Sequence, residues 1–287
     1  MACHIRQLRD IMATRGGLLL PGAPNALAAR IIADLGFQAI YLTGAGLTNM
    51  SLGLPDLGFM DLSQAVEHTM AIRNVVDLPV IVDADTGFGN AVNVTHTVRM
   101  LERAGASAIQ LEDQAMPKRC GHFEGKALVP AQEMASKIKA AVDARRDDLV
   151  VIARTDARAG EGFQAAIERA QLYVEAGADM TFFEAPQSMD EVRQIPKSLG
   201  VPQLLNIVVG GKTPVVSQAQ AADMGFSLLL YANAALQGAI TGMQRALTTL
   251  RDAGSIAEDS GLLATFAERQ RLVDKPGFDA LDKKYAV

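Results

Sequence analysis

Short unbroken apolar runs alternate along this chain with longer stretches in which apolar residues recur every three or four positions. The first run, within residues 17–22, is closed by Pro21-Gly22, and NALAARIIADLG over 25–36 then has helical spacing and a glycine stop. The pair repeats. Residues 39–43 precede a glycine-rich loop and a helix starting near Leu62, and 79–83 precede Asp85-Thr86-Gly87-Phe88-Gly89 and a helix ending near Gly105. Residues 108–112 precede a long loop and a helix over 131–144. In the second half, 149–154 lead to a helix over 165–177, 180–184 to 189–199, 203–207 to 216–224, and 226–231 to a helix reaching Ala253.

Strands that are apolar along their whole length are buried on both faces, as in a parallel sheet. Eight such units without a break in composition predict an α/β fold, a single (β/α)8 TIM-type barrel, with a doubly wound open sheet as the competing arrangement. The whole chain, 1–287, reads as one domain: an N-terminal charged helix over 1–15, the barrel over 16–254 and a helical extension over 255–287. The extension carries the amphipathic stretch 261–267 and a polar tail, and is expected to cap the barrel or pack on a neighbouring subunit.

Composition narrows the function classes. An apolar fraction of 49% with 21% charged residues is that of a globular protein with a large core. A net charge of −5, no Trp and four Tyr leave neither a basic stripe nor stacking platforms for nucleic acid. Two cysteines, Cys3 and Cys120, are too few for a disulfide framework and point to a reducing cytoplasm. No apolar run has signal-peptide or membrane-spanning length, so no membrane partner is expected.

The chemistry concentrates in the loop 112–130, EDQAMPKRCGHFEGKALVP, far longer than the roughly 2–6 residues usual for a strand-to-helix connection. Lys118, Arg119, Cys120 and His122 crowd together there, with Gly121 and Gly125 to bend the backbone. A thiol among cations is a candidate for proton transfer or nucleophilic attack; the competing reading is a solvated basic loop. Barrel chemistry sits at the carboxyl ends of the strands. Those ends read Thr43 and Gly44, Asp83 and Asp85, Glu112 and Asp113, Arg154 and Asp156, Glu184, Asn206, and Tyr231 with Asn233. So many acids on one rim would raise one another's pKa unless something positive sits among them. A hard divalent cation fits: Asp85 as direct ligand, Asp83 and Glu112 through water, with Mg2+ expected and Mn2+ able to substitute. The alternative for Asp83 is a turn-forming aspartate. Arg154 must meet a carboxylate, either Asp156 or Glu184 or a substrate group gripped bidentately. His122 is a second carboxylate binder, while His4, His68 and His96 have no motif around them. Gly44-Ala45-Gly46 lacks the third glycine of a dinucleotide fingerprint, and Gly211-Lys212-Thr213 lacks the first glycine of a P-loop.

Six blocks resemble the isocitrate lyase / phosphoenolpyruvate mutase superfamily: Ser51 to Asp56 (SLGLPD), Val82 to Gly89 (VDADTGFG), Glu112-Asp113-Gln114, Lys118 to His122 (KRCGH), Ala153 to Ala157 (ARTDA) and Glu184-Ala185. The KRCGH block is similar to that of its carbon–carbon lyases, those of 2-methylisocitrate, 2,3-dimethylmalate and 2-alkylmalates. The resemblance implies a Mg2+-dependent barrel, a homotetramer built as a dimer of dimers, and a last helix exchanged between subunits. It implies cleavage of the C2–C3 bond of a 2-hydroxydicarboxylate to a 2-oxo acid and a carboxylic acid, by a retro-aldol (Claisen-type) route. Cys120 would be the general acid and Tyr41 a base. Thr43, Gly44, Ala45, Asp56, Lys118, Arg119 and Gly121 would hold substrate, with Arg154, His122, Glu184 and Asn206 on the second carboxylate. Phe182 and Phe183 are candidates for an alkyl pocket. Val209 departs from the pattern, standing where those lyases usually have a Glu. Oxaloacetate hydrolysis or decarboxylation on the same metal is the alternative chemistry. A phosphonate mutase, or a barrel that only binds a metabolite, is a more distant reading.

Overall fold

A computed structural model describes residues 2–119, 121 and 125–286. Eight strands close into a parallel barrel in sequence order: β1 Leu18–Ala23, β2 Ile40–Leu42, β3 Val80–Asp83, β4 Ala108–Glu112, β5 Val150–Thr155, β6 Met180–Phe183, β7 Gln203–Asn206 and β8 Leu228–Tyr231. The ring shuts where Leu18 to Pro21 of β1 pair with Leu228 to Tyr231 of β8. The open-sheet alternative is thereby excluded. Around and between the strands lie α1 Ala2–Thr14, α2 Ala26–Asp34, α3 Gly44–Leu47, α4 Leu62–Arg73, α5 Ala91–Ala104, α6 Ala131–Ala144 and α7 Arg158–Glu161. They are followed by α8 Phe163–Glu175, α9 Met189–Ser198, α10 Gln218–Met224, α11 Ala234–Ala253, α12 Phe266–Leu272 and α13 Lys275–Tyr285.

Strand alternation divides the core. Leu20, Tyr41, Ile81, Ile152, Phe182 and Leu230 turn inward and fill the barrel, while Leu42, Val82, Ile109 and Val151 turn outward against the helices. Helix α1 plugs the amino-terminal end of the barrel: its Leu8 and Met12 join the interior cluster. Its Arg9 donates to the Asp148 carbonyl at 2.9 Å and to Asp179 at 3.2 Å. The carboxyl-terminal end is therefore the open mouth. Polar residues at helix starts satisfy the free amides there, as Asp61 does with Gln64 at α4 and Asn90 with Asn93 at α5.

Two stretches differ from their expected form. The Gly44-Ala45-Gly46 segment is not a loop but the short helix α3, capped by Thr43, and it runs into a π turn over Thr48–Leu52. Small residues let it lie against the strand ends: a Cβ on Gly46 would fall 2.5 Å from the Thr43 methyl. The polar tail is the helix α13, and the amphipathic stretch 261–267 is largely non-helical. Helix α11 leaves the barrel wall early, since Ile240, Met243, Leu247 and Leu250 are all exposed. Helix α12 is tied back to α2 by a two-pronged Arg271–Asp34 pair, at 2.6 and 2.7 Å. Among the described residues no helix is long and apolar enough to cross a membrane.

Gly22 on β1 faces the backbone of the β8–α11 turn, and a Cβ there would come 1.9 Å from the Ala232 carbonyl oxygen. Backbone has no rotamer with which to yield, so Gly22→Ala should destabilise the protein by about 1–3 kcal/mol or more. Gly200→Ala, which meets nothing within 4 Å, should be near neutral. Paired denaturant titrations measure both, and equal midpoints would refute the steric reading.

Candidate active site

The mouth of the barrel holds a small cavity of about 40 Å3. Tyr41, Thr43, Ala45, Asp56, Asp83, Glu112, Lys118, Arg119, Gly121, Arg154, Glu184 and Asn206 line it, together with Phe182, Val208, Leu230, Ala232 and Asn233. The acids are fixed by backbone. Asp83 accepts from the Gly44 N–H at 3.2 Å and from the Asp85 N–H at 3.1 Å, so α3 orients it from one side and its own turn from the other. Asp85 follows in the left-handed region, φ +47°, which turns its carboxylate back toward the mouth. Its carbonyl accepts the Glu112 N–H at 2.9 Å and ties the ends of β3 and β4 together.

Much of the positive charge this rim demands is a lysine. The buried Lys118 Nζ lies 2.5 Å from Asp56 Oδ1 and 2.7 Å from Asp85 Oδ1. Burial alone would push the Lys118 pKa down, but Asp85, Glu112, Asp83 and Asp56 outweigh it and hold the ammonium charged. Burial pushes Asp85 the other way, up to about 7, against the pull of Lys118. Burial also raises Glu112 well above the ordinary carboxylate range, with Arg154 opposing it.

Arg154 is clamped rather than mobile. Its Nε and Nη2 donate to the two oxygens of Asp156 at 2.9 and 3.0 Å. Glu112 Oε2 lies 3.4 Å from Nε, Glu184 Oε2 lies 3.8 Å from Nη2, and the guanidinium stacks 4.9 Å over the Phe182 ring. Burial would raise Asp156, yet Arg154 and Lys126 beside it bring it down to about 2. The Asp156 backbone N–H is in turn held by Asp113 at 2.9 Å, and Asp113 accepts from Thr155 and Tyr173 at 2.7 and 2.8 Å.

The long loop after β4 is a folded flap. Its limbs pair through Gln114 and Leu128, and Ala115 N–H donates to the Ala127 carbonyl at 2.8 Å. The Gln114 side chain binds both backbone groups of Arg119, at 2.8 and 2.9 Å. Gly121 then packs on the arginine clamp: a Cβ there would fall 2.1 Å from Arg154 Nη2 and 2.6 Å from Glu184 Oε1. Cys120 and His122 lie outside the described residues.

Several expected assignments change. Asp113 turns away from the mouth into the contact of β4, β5 and α8, because it is one residue out of phase with Glu112 on the strand. Tyr231 faces the outer core for the same reason, as does Phe183, whose ring meets Phe163 at 5.3 Å. The Tyr41 hydroxyl donates to Gln110 Oε1 at 2.5 Å, and burial with the nearby Asp83 pushes its pKa well up, so it stands as a proton donor. Val209 is exposed outside the cavity, whereas its neighbour Val208 lines it. Gln110 and Lys126 were not anticipated. Gln110 had a legible signal, a polar residue in an apolar strand at the same parity as Glu112; Lys126, which reaches Asp156 at 2.7 Å, had none.

A hard cation fits this donor set. Glu112 Oε1 is a buried oxygen without a hydrogen-bond partner among the described residues, and Asp85 Oδ1 already faces a positive charge, the Lys118 ammonium. Gly44 keeps the space beside Asp83 and Asp85 clear of a side chain. A cation of the Mg2+ kind is usually held by one or two carboxylates, its other positions taken by waters and substrate oxygens.

The chain matches the phosphoenolpyruvate phosphomutase family over residues 8–251. It is 44% identical to a 2-methylisocitrate lyase of Aeropyrum pernix over 97% of this chain and 89% of that one. It is 40% identical to a 2,3-dimethylmalate lyase of Eubacterium barkeri over 98% of each. A crystal structure of 2,3-dimethylmalate lyase superposes with a TM-score of 0.93 at 35% identity, covering 99% of this chain and 95% of that one. An oxaloacetate acetylhydrolase bound to 3,3-difluorooxalacetate gives 0.92 at 33% identity, covering 98% and 96%. A phosphonopyruvate hydrolase holding oxalate and Mg2+ gives 0.88 at 32%, covering 99% of each. In barrel and in sequence over nearly its whole length, this chain belongs to the phosphoenolpyruvate mutase/isocitrate lyase superfamily.

Proposed function

We propose that the protein is a divalent-cation-dependent carbon–carbon lyase that splits the C2–C3 bond of a 2-hydroxydicarboxylate into a 2-oxo acid and a carboxylic acid. The observation that carries the reading is Gly121, packed on Arg154 and Glu184, which brings the flap bearing Cys120 against the cavity that holds Asp83 and Glu112. Similarity to lyases of 2-methylisocitrate and 2,3-dimethylmalate supports it.

Asp85 would hold Mg2+ or Mn2+ directly, with Asp83 and Glu112 through water. The cation, when bound, acidifies the 2-hydroxyl and stabilises the developing 2-oxo group as a Lewis acid. At the α3 turn of Thr43, Gly44 and Ala45, the Thr43 hydroxyl and backbone N–H groups meet the adjacent carboxylate, with the Gly44 N–H shared with Asp83. Tyr41, its own proton donated in the hydrogen bond to Gln110, turns its hydroxyl oxygen to the 2-hydroxyl, whose proton passes to the Glu112 carboxylate; after product release that proton returns through solvent to the Cys120 thiolate. Arg154, fixed by Asp156 and assisted by Asn206 and Glu184, holds the carboxylate on which negative charge grows as C2–C3 breaks. Cys120 donates its proton to C3, and His122 and Arg119 from the same flap close over the substrate. Lys118, anchored on Asp56 and Asp85, latches the flap and keeps water from the carbanion. The second reading, oxaloacetate cleavage, is favoured by the close superposition on an oxaloacetate acetylhydrolase. The exposed apolar rows of α11 and α13, with Leu247 61% and Phe278 60% exposed, suit a homotetramer in which the last helices pack on a neighbouring subunit.

Gly121→Ala should lower kcat by about a hundredfold or more, since displacing a preorganised donor costs about 3 kcal/mol in the transition state. Its melting temperature should stay within a degree or two of the parent. Full activity in that variant would remove Gly121 from the reading. Mg2+ should restore all turnover after chelation, with products followed by NMR beside Cys120→Ser. Acetate and oxalate from oxaloacetate, with no C–C cleavage of alkylmalates, would move the assignment to the second reading. Light scattering should give four chains of 30.5 kDa, and a chain ended at Gly254 should give fewer than four of its own chains per particle.

A further inference from the structure

The cavity is charged on one side only. Its ionisable lining residues all come from the elements between β2 and β6, whereas β7, β8 and the turns after them supply Asn206, Val208, Leu230, Ala232 and Asn233. Its two amides carry no charge to hold an anion. Asn206 turns its Nδ2 toward Glu184 at 3.4 Å, on the Arg154 side where the second carboxylate is placed, and the Oδ1 acceptors of Asn206 and Asn233 are buried without a hydrogen-bond partner among the described residues. A further carboxylate placed against this wall would meet hydrocarbon, those two oxygens and no charged side chain.

Cations elsewhere are already engaged. Lys118 is held between Asp56 and Asp85, and Arg154 by Asp156. Arg119 is exposed at the rim, its Nη1 turned back over its own flap toward Gly125. Lys126 and Lys212 face a separate cavity beside Asp156 and Glu161. One substrate carboxylate can be met at the α3 and acid side with the cation, and a second at Arg154. Among the described residues, a third is left with the β7–β8 wall.

We propose that the site selects a 2-hydroxydicarboxylate whose C2 and C3 substituents are small alkyl groups, such as 2,3-dimethylmalate, and rejects a tricarboxylate such as 2-methylisocitrate. The β7–β8 wall is the selector, and Val208, half-buried at its rim, is the position where a cation would change the choice. The inference rests on the lyase reading above.

Two measurements at fixed Mg2+ test it. The first compares kcat/KM for 2,3-dimethylmalate and 2-methylisocitrate. The second compares, by calorimetry, binding of the unreactive 2,3-dimethylsuccinate and propane-1,2,3-tricarboxylate. The dicarboxylate should be preferred at least about a hundredfold in both, because a buried carboxylate without a partner is strongly penalised. Val208→Arg should narrow the gap about tenfold or more by tightening the tricarboxylate, with circular dichroism unchanged. Equal or better turnover or binding of the tricarboxylate by the parent would overturn the proposal and leave the lyase reading standing. If neither hydroxy acid is cleaved while oxaloacetate is, the lyase reading falls, and the calorimetric ratio still decides what the wall selects.

Discussion

Arg154 clamped by Asp156 is the contact on which the rest of the mouth depends. A guanidinium buried at the end of an apolar strand is costly unless its charge and its planar donors are both met. Asp156 meets them two residues further on, with its own backbone held by Asp113 and its outer oxygen by Lys126. The clamp leaves Arg154 with one orientation, stacked on Phe182 and edged by Glu112 and Glu184. Gly121 can then approach to a distance that no side chain would allow. An arginine free to swing would give the flap nothing fixed to close on.

Charge balance ties the two halves of the mouth together. Asp56, Asp83, Asp85 and Glu112 form the acidic side, and the flap's own Lys118 sets its ammonium between Asp56 and Asp85. The same residue thus couples flap position to the charge state of the acids. Under the proposed function, a divalent cation at Asp85 would compete with that ammonium or share the carboxylate with it. Folding the flap and preparing the acids for a cation would then be one electrostatic event. The β7–β8 side takes no part in it, and its neutrality is what leaves room for selection by shape and polarity.

The barrel is legible in the linear chain. Unbroken apolar strands and periodic helices recur in a fixed order, and a parallel sheet buried on both faces is the arrangement that satisfies them. Also legible there is the end that carries chemistry, because Asp83, Glu112, Arg154, Glu184 and Asn206 stand at strand ends and alternation sends them inward together. The remaining features arise from packing. One residue of phase turns Asp113, Tyr231 and Phe183 outward, and strand ends in a short run are too loosely bounded to fix that phase from sequence. Lys126 and Lys118 reach Asp156 and Asp85 across the flap, and long flexible side chains carry no positional signal until the backbone that bears them is folded. Gly22 and Gly121 are required by atoms distant in the chain, the Ala232 carbonyl and the Arg154 guanidinium. Close approach between such residues is a property of the packed barrel, so no local pattern contains it.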